Sequence, residues 1–517
     1  MSSVTHRSCC FLVTFLASLA FCAAQNANRP PNIILIVSDD QGFHLSTFGD
    51  KQYPTPNLDR MAAEGVRGTN FYVTASVCTP SRSGLITGRY PQRNGTYEMI
   101  RNDMVNYGHR YTPSEYAMSP EMTMGLDVRE KTFGDMLRTA GYNNAAFGKW
   151  DMGQAKRFLP LQRGFDYFYG HGNNGIDYYT HERYGAPSMF RNNALTTADK
   201  GMYATDLFRR EALAFIRDDD KAFRQGRDRP FFIYLPFNAP HGASTIDQPK
   251  FQKQTGDAAR AKGAAKAKAG KSASSPSTDV EGEGVWASQV PDSYLKKYHA
   301  NRDPNDRITR VAGMVSAMDE AIGDIFKTLR ELKLDRNTLV IFFTDNGMGN
   351  SLLEGVKLRG GKGSGYEGGL RSPLIAWWPG VIPAGTVTHE FLTSLEVLPT
   401  LAAASGAFLP DVHLDGFNML PVLQGKEKSA RTEMFWDWPS TYQAARVGQY
   451  KWMASVPRGN KDNLAPKEEL FDLAVDLAEK NDLAKQKPEV LAQVKARFAR
   501  WRAEMDAAEP RGPFQNY

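Results

Sequence analysis

Four apolar runs in this chain stop abruptly at polar residues, and that pattern restricts the fold more than any other feature. Ile33-Ile34-Leu35-Ile36-Val37 runs into Ser38-Asp39-Asp40, and Leu339-Val340-Ile341-Phe342-Phe343 runs into Thr344-Asp345-Asn346-Gly347. Phe231-Phe232-Ile233-Tyr234-Leu235 leads towards Asn238-Ala239-Pro240-His241, and the weaker Asn144-Ala145-Ala146-Phe147 leads into Gly148-Lys149-Trp150-Asp151. A run that is apolar at every position suits a strand buried on both faces, the situation of a parallel sheet covered by helices. Such a sheet delivers the residues beyond its strands to one crevice. A covering helix is equally legible. Val311, Met314, Val315, Met318, Ile322, Ile325, Leu329 and Leu332 recur at steps of three and four, with Asp319, Glu320 and Lys327 off the stripe. The expected class is an α/β sandwich with a large, mostly parallel central sheet.

The tail changes character after about Gln424. Glu433–Trp438, Gln443–Val447 and Tyr450–Met453 read as short strands joined by turns. A helix is expected from about Pro488 to Ala507, with Val490, Leu491, Val494, Phe498 and Trp501 on one face. This predicts a smaller C-terminal antiparallel α+β subdomain over 425–517, after a main domain over 29–424. Within that main domain, residues 252–286 are rich in Ala, Gly, Lys and Ser. They carry too little apolar surface to offset the cost of ordering, so a flexible basic insertion is expected.

Residues 1–24 have the layout of a signal peptide: Arg7, an apolar stretch from Cys9 to Phe21, then Cys22-Ala23-Ala24-Gln25. The stretch is too short to span a membrane comfortably, and no later run is long or charge-free enough. Leu19-Ala20-Phe21-Cys22 has a faint lipoprotein character, but the bulky Phe21 argues against anchoring. The expected product is exported, periplasmic or secreted, with no membrane span. The formal charge of +6 and pI near 8.9 suggest at first a polyanion-binding protein. Losing Arg7 with the leader leaves +5, and Lys250, Lys253, Arg260, Lys262, Lys266, Lys268 and Lys271 against Asp257 hold +6 in one stretch. The rest of the mature chain is therefore about −1, which removes nucleic acid as an expected partner.

Of four cysteines, three lie in the leader, and the mature chain keeps Cys78 alone. A lone exported thiol cannot form an internal disulfide, so it is either an unpaired leftover or a reactive group. Asp39, Asp40, Asp345 and Asn346 offer hard oxygen ligands from two strand ends, suited to Ca²⁺ or Mg²⁺ rather than zinc. In isolation, acids after a strand are more often loop or helix-capping residues.

The run Cys78-Thr79-Pro80-Ser81-Arg82, followed by Leu85-Ile86-Thr87-Gly88-Arg89, resembles the signature of type I sulfatases. The stretch Gln162–Gly170 and then Gly175–Glu182 resembles the arylsulfatase B branch of that family. The resemblance runs from about Pro31 to Pro379 and then weakens. It implies an alkaline-phosphatase-like fold and oxidation of Cys78 to formylglycine by a maturation enzyme. It also implies one divalent cation, usually calcium with magnesium as the alternative, bound by Asp39, Asp40, Asp345, Asn346 and residue 78.

Physical chemistry supplies the rest of the expectation, since a sulfate ester repels nucleophiles until cations neutralise it. Arg82 stands one helical turn beyond Cys78, on a helix expected to start near Thr79-Pro80 with Pro80 in the first position. By resemblance Lys149 and Lys362 hold the sulfate, and His241 assists the departing oxygen. The family phrase Gly-Lys-Trp-His is broken here as Gly148-Lys149-Trp150-Asp151. Asp151 then either replaces the missing histidine as a base or turns away. His171, Asp177, Tyr178 and His181 are candidate subsite residues for a sugar, against a plain packing role. The expected activity is sulfate-ester hydrolysis on a sulfated sugar or polysaccharide. The alternatives are a phosphodiesterase or phosphonate hydrolase of the same fold, and a non-catalytic carbohydrate-binding relative.

Overall fold

Ile33 to Val37 form the middle of the sheet, and all five side chains are fully buried. The computed structural model describes residues 29–101, 111–227, 229–245, 287–439, 441–455 and 467–512. The leader expected over 1–24 and the insertion expected over 252–286 lie outside the described residues.

The main strands of the large sheet are β1 (Asn32–Ser38), β2 (Val66–Tyr72), β3 (Asn143–Lys149), β4 (Tyr167–His171), β5 (Met189–Arg191), β6 (Phe231–Pro236), β7 (Thr338–Thr344) and β8 (Arg371–Trp377). Their spatial order is β2-β8-β7-β1-β6-β3-β4-β5, with short strands completing both edges. The five strands β7, β1, β6, β3 and β4 are mutually parallel, whereas β8 and β5 run against their neighbours. Alternate residues of β1 feed two cores. Ile34 and Ile36 pack with Leu207, Ile216, Met318 and Ile322, while Ile33, Leu35 and Val37 pack with Phe133, Leu137, Leu398 and Leu401. Each such burial contributes ~1.5–3 kcal/mol before entropy is charged against it, which is why an unbroken apolar strand belongs between two helical layers.

Register sets the rim. Ser38 pairs with Thr344, Val37 with Pro236, and Lys149 with His171. The pairs Asp39-Asp40 and Asp345-Asn346 therefore leave neighbouring strands at one level. The Asp345 N–H donates to the Ser38 carbonyl at 3.0 Å, extending the ladder by one step.

Five helices frame the site and the tail: α1 (Cys78–Thr87), α2 (Ala204–Arg224), α3 (Arg307–Glu331), α4 (Val397–Ser405) and α5 (Pro488–Ala507). The periodic stripe at 311–332 lies in α3 up to its C-cap Leu332, and the helix begins earlier because the Asp306 side chain accepts from the Thr309 N–H at 2.9 Å. Helix α1 begins at Cys78 with Val77 as its extended cap, so Pro80 is its third residue and not its first. Proline is tolerated there because the first turn has no internal use for its N–H. Gly88, with φ of 66°, closes the helix in the left-handed conformation.

The tail forms a four-stranded antiparallel meander of β9 (Glu433–Trp438), β10 (Tyr442–Val447), β11 (Tyr450–Ser455) and β12 (Lys467–Asp472). Helix α5 covers it with Val494, Phe498, Trp501 and Met505 against Phe435 and Trp452, while Val490 and Leu491 are half-buried beside them. Strand β12 goes beyond the three strands expected from the sequence. Its residues, Lys-Glu-Glu-Leu-Phe-Asp, are charged enough to serve as an edge and lack clean alternation. The same core takes in Tyr72, Leu370 and Leu395, so the small sheet is packed onto the large one. Among the described residues, no helix is long and apolar enough to cross a membrane.

Candidate active site

The strand ends bring together side chains more than three hundred residues apart in the chain. Carboxylate oxygens of Asp39, Asp40 and Asp345 all lie within 4.8 Å of one another, and all three residues are buried. The Asn346 amide is 2.9 Å from Asp40 Oδ1. The Cys78 Sγ stands 3.4 Å from Asp39 Oδ1, 3.9 Å from Asp40 Oδ1 and 3.7 Å from Asn346 Oδ1. Asp40 adopts a left-handed backbone, φ 59°, a conformation that aspartate tolerates better than most residues.

Each ligand-like oxygen is steadied by a neighbour. Lys149 Nζ donates to Asp39 Oδ2 at 2.7 Å and Lys362 Nζ to Asp40 Oδ2 at 2.6 Å. Arg82 donates Nε to Asp345 Oδ2 at 3.0 Å, with Nη2 in ion-pair contact at 2.8 Å, and donates Nη1 to the Lys149 carbonyl at 3.2 Å. Its side chain has no exposure, so it orients Asp345 from behind. Ser81, the residue before it on α1, donates its hydroxyl to the Asp345 carbonyl. His241 Nε2 lies 3.6 Å from Asp40 Oδ2, and its Nδ1 is 2.7 Å from the Gly242 carbonyl, so the ring proton belongs on Nδ1.

The crowding of charge shifts the protonation of these groups. Burial, with Asp39 alongside, lifts Asp345 to about 6 despite Arg82. Burial would raise Asp40 too, but Lys362 and Lys149 hold it well below the usual carboxylate range. Burial lowers His241 to about 3 with help from Lys362, leaving the imidazole neutral. Burial also pushes the Cys78 thiol well up, so an unmodified thiol here is not a thiolate nucleophile. Four carboxylates, Asp39, Asp40, Asp345 and Asp151, face the cations Arg82, Lys149 and Lys362. Convergent carboxylate and amide oxygens with a surplus of negative charge fit a hard divalent cation.

Asp151 is turned into this cluster. Its Oδ1 accepts from the Thr79 hydroxyl at 3.1 Å, and Oδ2 lies 3.7 Å from Lys149 Nζ with no hydrogen bond of its own. The left-handed φ of 57° at Asp151 aims the side chain back over the end of β3. Of the four sugar-subsite candidates, three hold up the loops instead. Asp177 accepts from the N–H groups of Tyr179 and Thr180 and from Gln289. The Tyr178 hydroxyl lies 2.7 Å from the Asn238 carbonyl and 2.9 Å from that of His241, supporting the His241 loop. His181 Nε2 meets the Met202 carbonyl at 2.9 Å. Their polar ends are taken up by backbone groups and, at Asp177, by the Gln289 side chain, so the packing role accounts for them. His171 differs: it is fully buried, Nδ1 is 3.0 Å from the Asn173 carbonyl, and Nε2 has no partner.

Known proteins resemble this chain over most of its length. The family model described as Sulfatase matches residues 31–407. Arylsulfatase A of Homo sapiens is 32% identical over 547 aligned residues, spanning 96% of this chain and 92% of that protein. The chain belongs to the sulfatase family. As a sulfatase it is a sulfuric ester hydrolase, and its sandwich is of the alkaline-phosphatase-like kind. A second family model, N-sulphoglucosamine sulphohydrolase, C-terminal, matches residues 361–504, so the likeness extends well past Pro379. N-acetylgalactosamine-6-sulfatase of Homo sapiens is 30% identical over 450 residues, covering 83% of this sulfatase and 72% of that protein. The solved structure of Ps i-CgsB in complex with k-i-k-neocarrahexaose is 27% identical with a TM-score of 0.70, covering 92% of this chain and 93% of that one.

Sequence reasoning missed several contributors to the site. Thr79 and Ser81 sit inside the Cys78 motif and were readable as hydroxyls on the first turn of its helix. Tyr442 gave no such signal. Its hydroxyl lies 2.8 Å from Ser76 Oγ, and the Ser76 carbonyl accepts from the Gly363 N–H at 2.8 Å. The small sheet thus ties the Cys78 loop to the Lys362 loop.

Proposed function

We propose that this chain is an exported sulfatase that removes sulfate from a sulfated carbohydrate or polysaccharide, working with formylglycine made from Cys78 and a divalent cation, calcium before magnesium. The observation that carries the reading is the convergence of Cys78, the four oxygen-bearing residues, Lys149, Lys362 and His241 on one strand rim. Export rests on the leader composition of residues 1–24, and a sugar substrate is favoured by the names of two relatives, one citing N-acetylgalactosamine and one neocarrahexaose.

Asp39, Asp40, Asp345 and Asn346 would hold the cation, which supplies Lewis acidity towards sulfate oxygens and favours the deprotonated nucleophile. A hydrated aldehyde at residue 78 offers two hydroxyls, one to take the sulfuryl group and one to expel it, which neither serine nor cysteine has. Arg82 and Ser81 fix Asp345 so that it can accept a proton at one oxygen. Lys149 and Lys362 balance the charge of the ester. His241 has its proton on Nδ1, so assisting the leaving oxygen requires the ring to gain a proton at Nε2. A sulfate ester beside Lys362 offsets the lysine charge that otherwise opposes this. Asp151, with one unpaired buried oxygen, is the base for the second step.

The test is protein made in a host with a formylglycine-generating maturation enzyme. Peptide mass spectrometry is expected to find formylglycine at residue 78, with turnover of aryl sulfate well above that of an aryl phosphodiester. Cys78→Ala is expected to lose at least ~10⁴-fold in kcat. Full activity with only unmodified thiol would sink the reading.

A further inference from the structure

Exposure marks where substrate enters the cluster. Side chains of Asp39, Arg82, Lys149, Asp151 and Asp345 are at most 1% exposed, whereas Lys362 is 20% and His241 17% exposed. Solvent therefore reaches the site along the Lys362–His241 side, and a leaving group assisted by His241 must lie there. The small sheet comes up against the loop that carries Lys362. A Cβ built on Gly363, the residue after Lys362, would lie 3.5 Å from Cζ3 of Trp438. Trp438 shares a strand face with Trp436, two residues before it. Trp436 is 1% exposed and donates to the Val73 carbonyl, whereas Trp438 overhangs the end of that core and is only half-buried.

The overhanging indole is held in place. Its Nε1 donates to Glu98 Oε2 at 2.8 Å, and Tyr442 stands edge-on to it with ring centroids 6.1 Å apart. Tyr442 is in turn fixed to Ser76, two residues before Cys78. A half-buried aromatic face with a half-buried carboxylate at its edge suits one ligand chemistry. The apolar C–H face of a pyranose packs on the ring while its hydroxyls donate to the carboxylate.

We propose that Trp438 and Glu98 form the platform for the sugar ring that carries the reacting sulfate, and so help to set specificity for an uncharged, hydroxyl-bearing ring face. This rests on the sulfated-carbohydrate reading above. The negative Glu98 also disfavours a second sulfate on the ring edge that it faces.

The experiment uses the matured enzyme and its Trp438→Ala, Trp438→Phe and Glu98→Gln variants. The probes are galactose 6-sulfate, N-acetylgalactosamine 6-sulfate and glucosamine 6-sulfate as substrates, with inorganic sulfate as competitive inhibitor of 4-nitrophenyl sulfate turnover. Trp438→Ala is expected to raise KM for the best sugar about 10-fold or more while the sulfate inhibition constant stays within about 2-fold. Trp438→Phe should recover most of the loss, and Glu98→Gln should raise KM by about 3-fold. Unchanged sugar KM in Trp438→Ala overturns the platform alone. An equal rise in KM and in the sulfate constant also overturns it, since Trp438 would then only support the Lys362 loop. Wild-type cleavage of aryl sulfate with none of the sugars turned over overturns the platform together with the carbohydrate reading.

Discussion

Two buried clusters of charge lie within a few residues of each other in this sulfatase, and they are built on opposite principles. The first is the rim, where Asp39, Asp40, Asp345 and Asp151 outnumber Arg82, Lys149 and Lys362. The second ties the small sheet to the large one through Glu367, Glu479, Lys451 and Arg371. There each carboxylate oxygen lies against a cation or an N–H, with Lys451 shared between two of them. Glu367 Oε1 meets Lys451 at 2.8 Å and Oε2 meets Arg371 at 2.6 Å, while Glu479 Oε1 meets Lys451 at 2.9 Å and Oε2 accepts from the Glu367 N–H at 2.7 Å. Tyr72 and Arg446 close the surround, with the Tyr72 hydroxyl donating to Glu367 at 2.7 Å. In the closed cluster every carboxylate oxygen lies within 2.9 Å of a protein cation or N–H, although the Lys451–Glu479 Oε1 contact is an ion pair without hydrogen-bond geometry, whereas at the rim Asp151 Oδ2 is 3.7 Å from Lys149 Nζ and His171 Nε2 has no hydrogen-bond partner. Burial without completion marks the place where something from outside is to be bound.

Removing the charge of one rim carboxylate should break that contrast most severely. Asp345→Asn is expected to lower kcat/KM by about 10³-fold or more, since Asp345 sets one oxygen against Arg82 and the other on the Asp40 N–H within the rim cluster. Activity alone would not separate a lost ligand from a lost base, so stability supplies the second readout. Calcium should raise the melting temperature of the wild-type chain by a few degrees over chelator-treated protein, by linkage to the folded state. Asp345→Asn should lose that shift. Equal calcium shifts in both proteins would mean that the ion binds somewhere other than this rim.

The closed cluster should respond in the opposite currency, stability before chemistry. Lys451→Met leaves Glu367 and Glu479 buried without their shared cation. Burial, with Glu367 beside it, already lifts Glu479 to about 7 even with the lysine present. Breaking a buried pair of this kind costs ~3–5 kcal/mol, read from denaturant unfolding. A Lys451→Met, Glu479→Gln double variant should recover part of it, because one orphaned charge is then removed. The calcium shift should persist in both. If Lys451→Met abolished calcium binding while leaving stability intact, the two clusters would not be distinct in function.

The rim was legible and the closed cluster was not, for a reason rooted in chain topology. A parallel strand writes its own address: five apolar residues followed by polar ones state both that the segment is buried and which end is functional, as at Val37-Ser38-Asp39 and Phe343-Thr344-Asp345. Glu367, Arg371, Lys451 and Glu479 carry no such mark, since each is a common surface residue whose burial is decided by tertiary partners, Lys451 lying 84 residues from Glu367. Strand β12 escaped for a related reason, as Leu470 and Phe471 are adjacent and the remaining residues are charged. The loop around Asp177, Tyr178 and His181 misled in the other direction. Its composition suits a sugar site, but these polar atoms are taken up by backbone groups and by Gln289, as those of a loop packed against a core must be.

Asp151 yields the smallest expected effect and the sharpest distinction within the rim itself. Burial raises its pKa although Lys149 and Arg82 oppose the rise, a combination that suits a proton acceptor. Asp151→Asn keeps the shape and the Thr79 hydrogen bond but removes the basic oxygen. Steady-state kcat on aryl sulfate is then expected to fall about 10²-fold, while rapid-quench kinetics still release one equivalent of alcohol per site. The burst would mean that attack on sulfur survives and sulfate release stalls. Near-normal steady-state turnover in Asp151→Asn would instead transfer the role to His171. The Asn173 amide is oriented by its donation to Ser188 at 2.9 Å, so both the Asn173 carbonyl and its Oδ1 accept at His171 Nδ1 and leave Nε2 as a free acceptor. Burial, with Lys149, keeps that ring neutral. His171→Asn should then be the variant that shows the burst, and the one unpaired acceptor whose loss stalls release is the base.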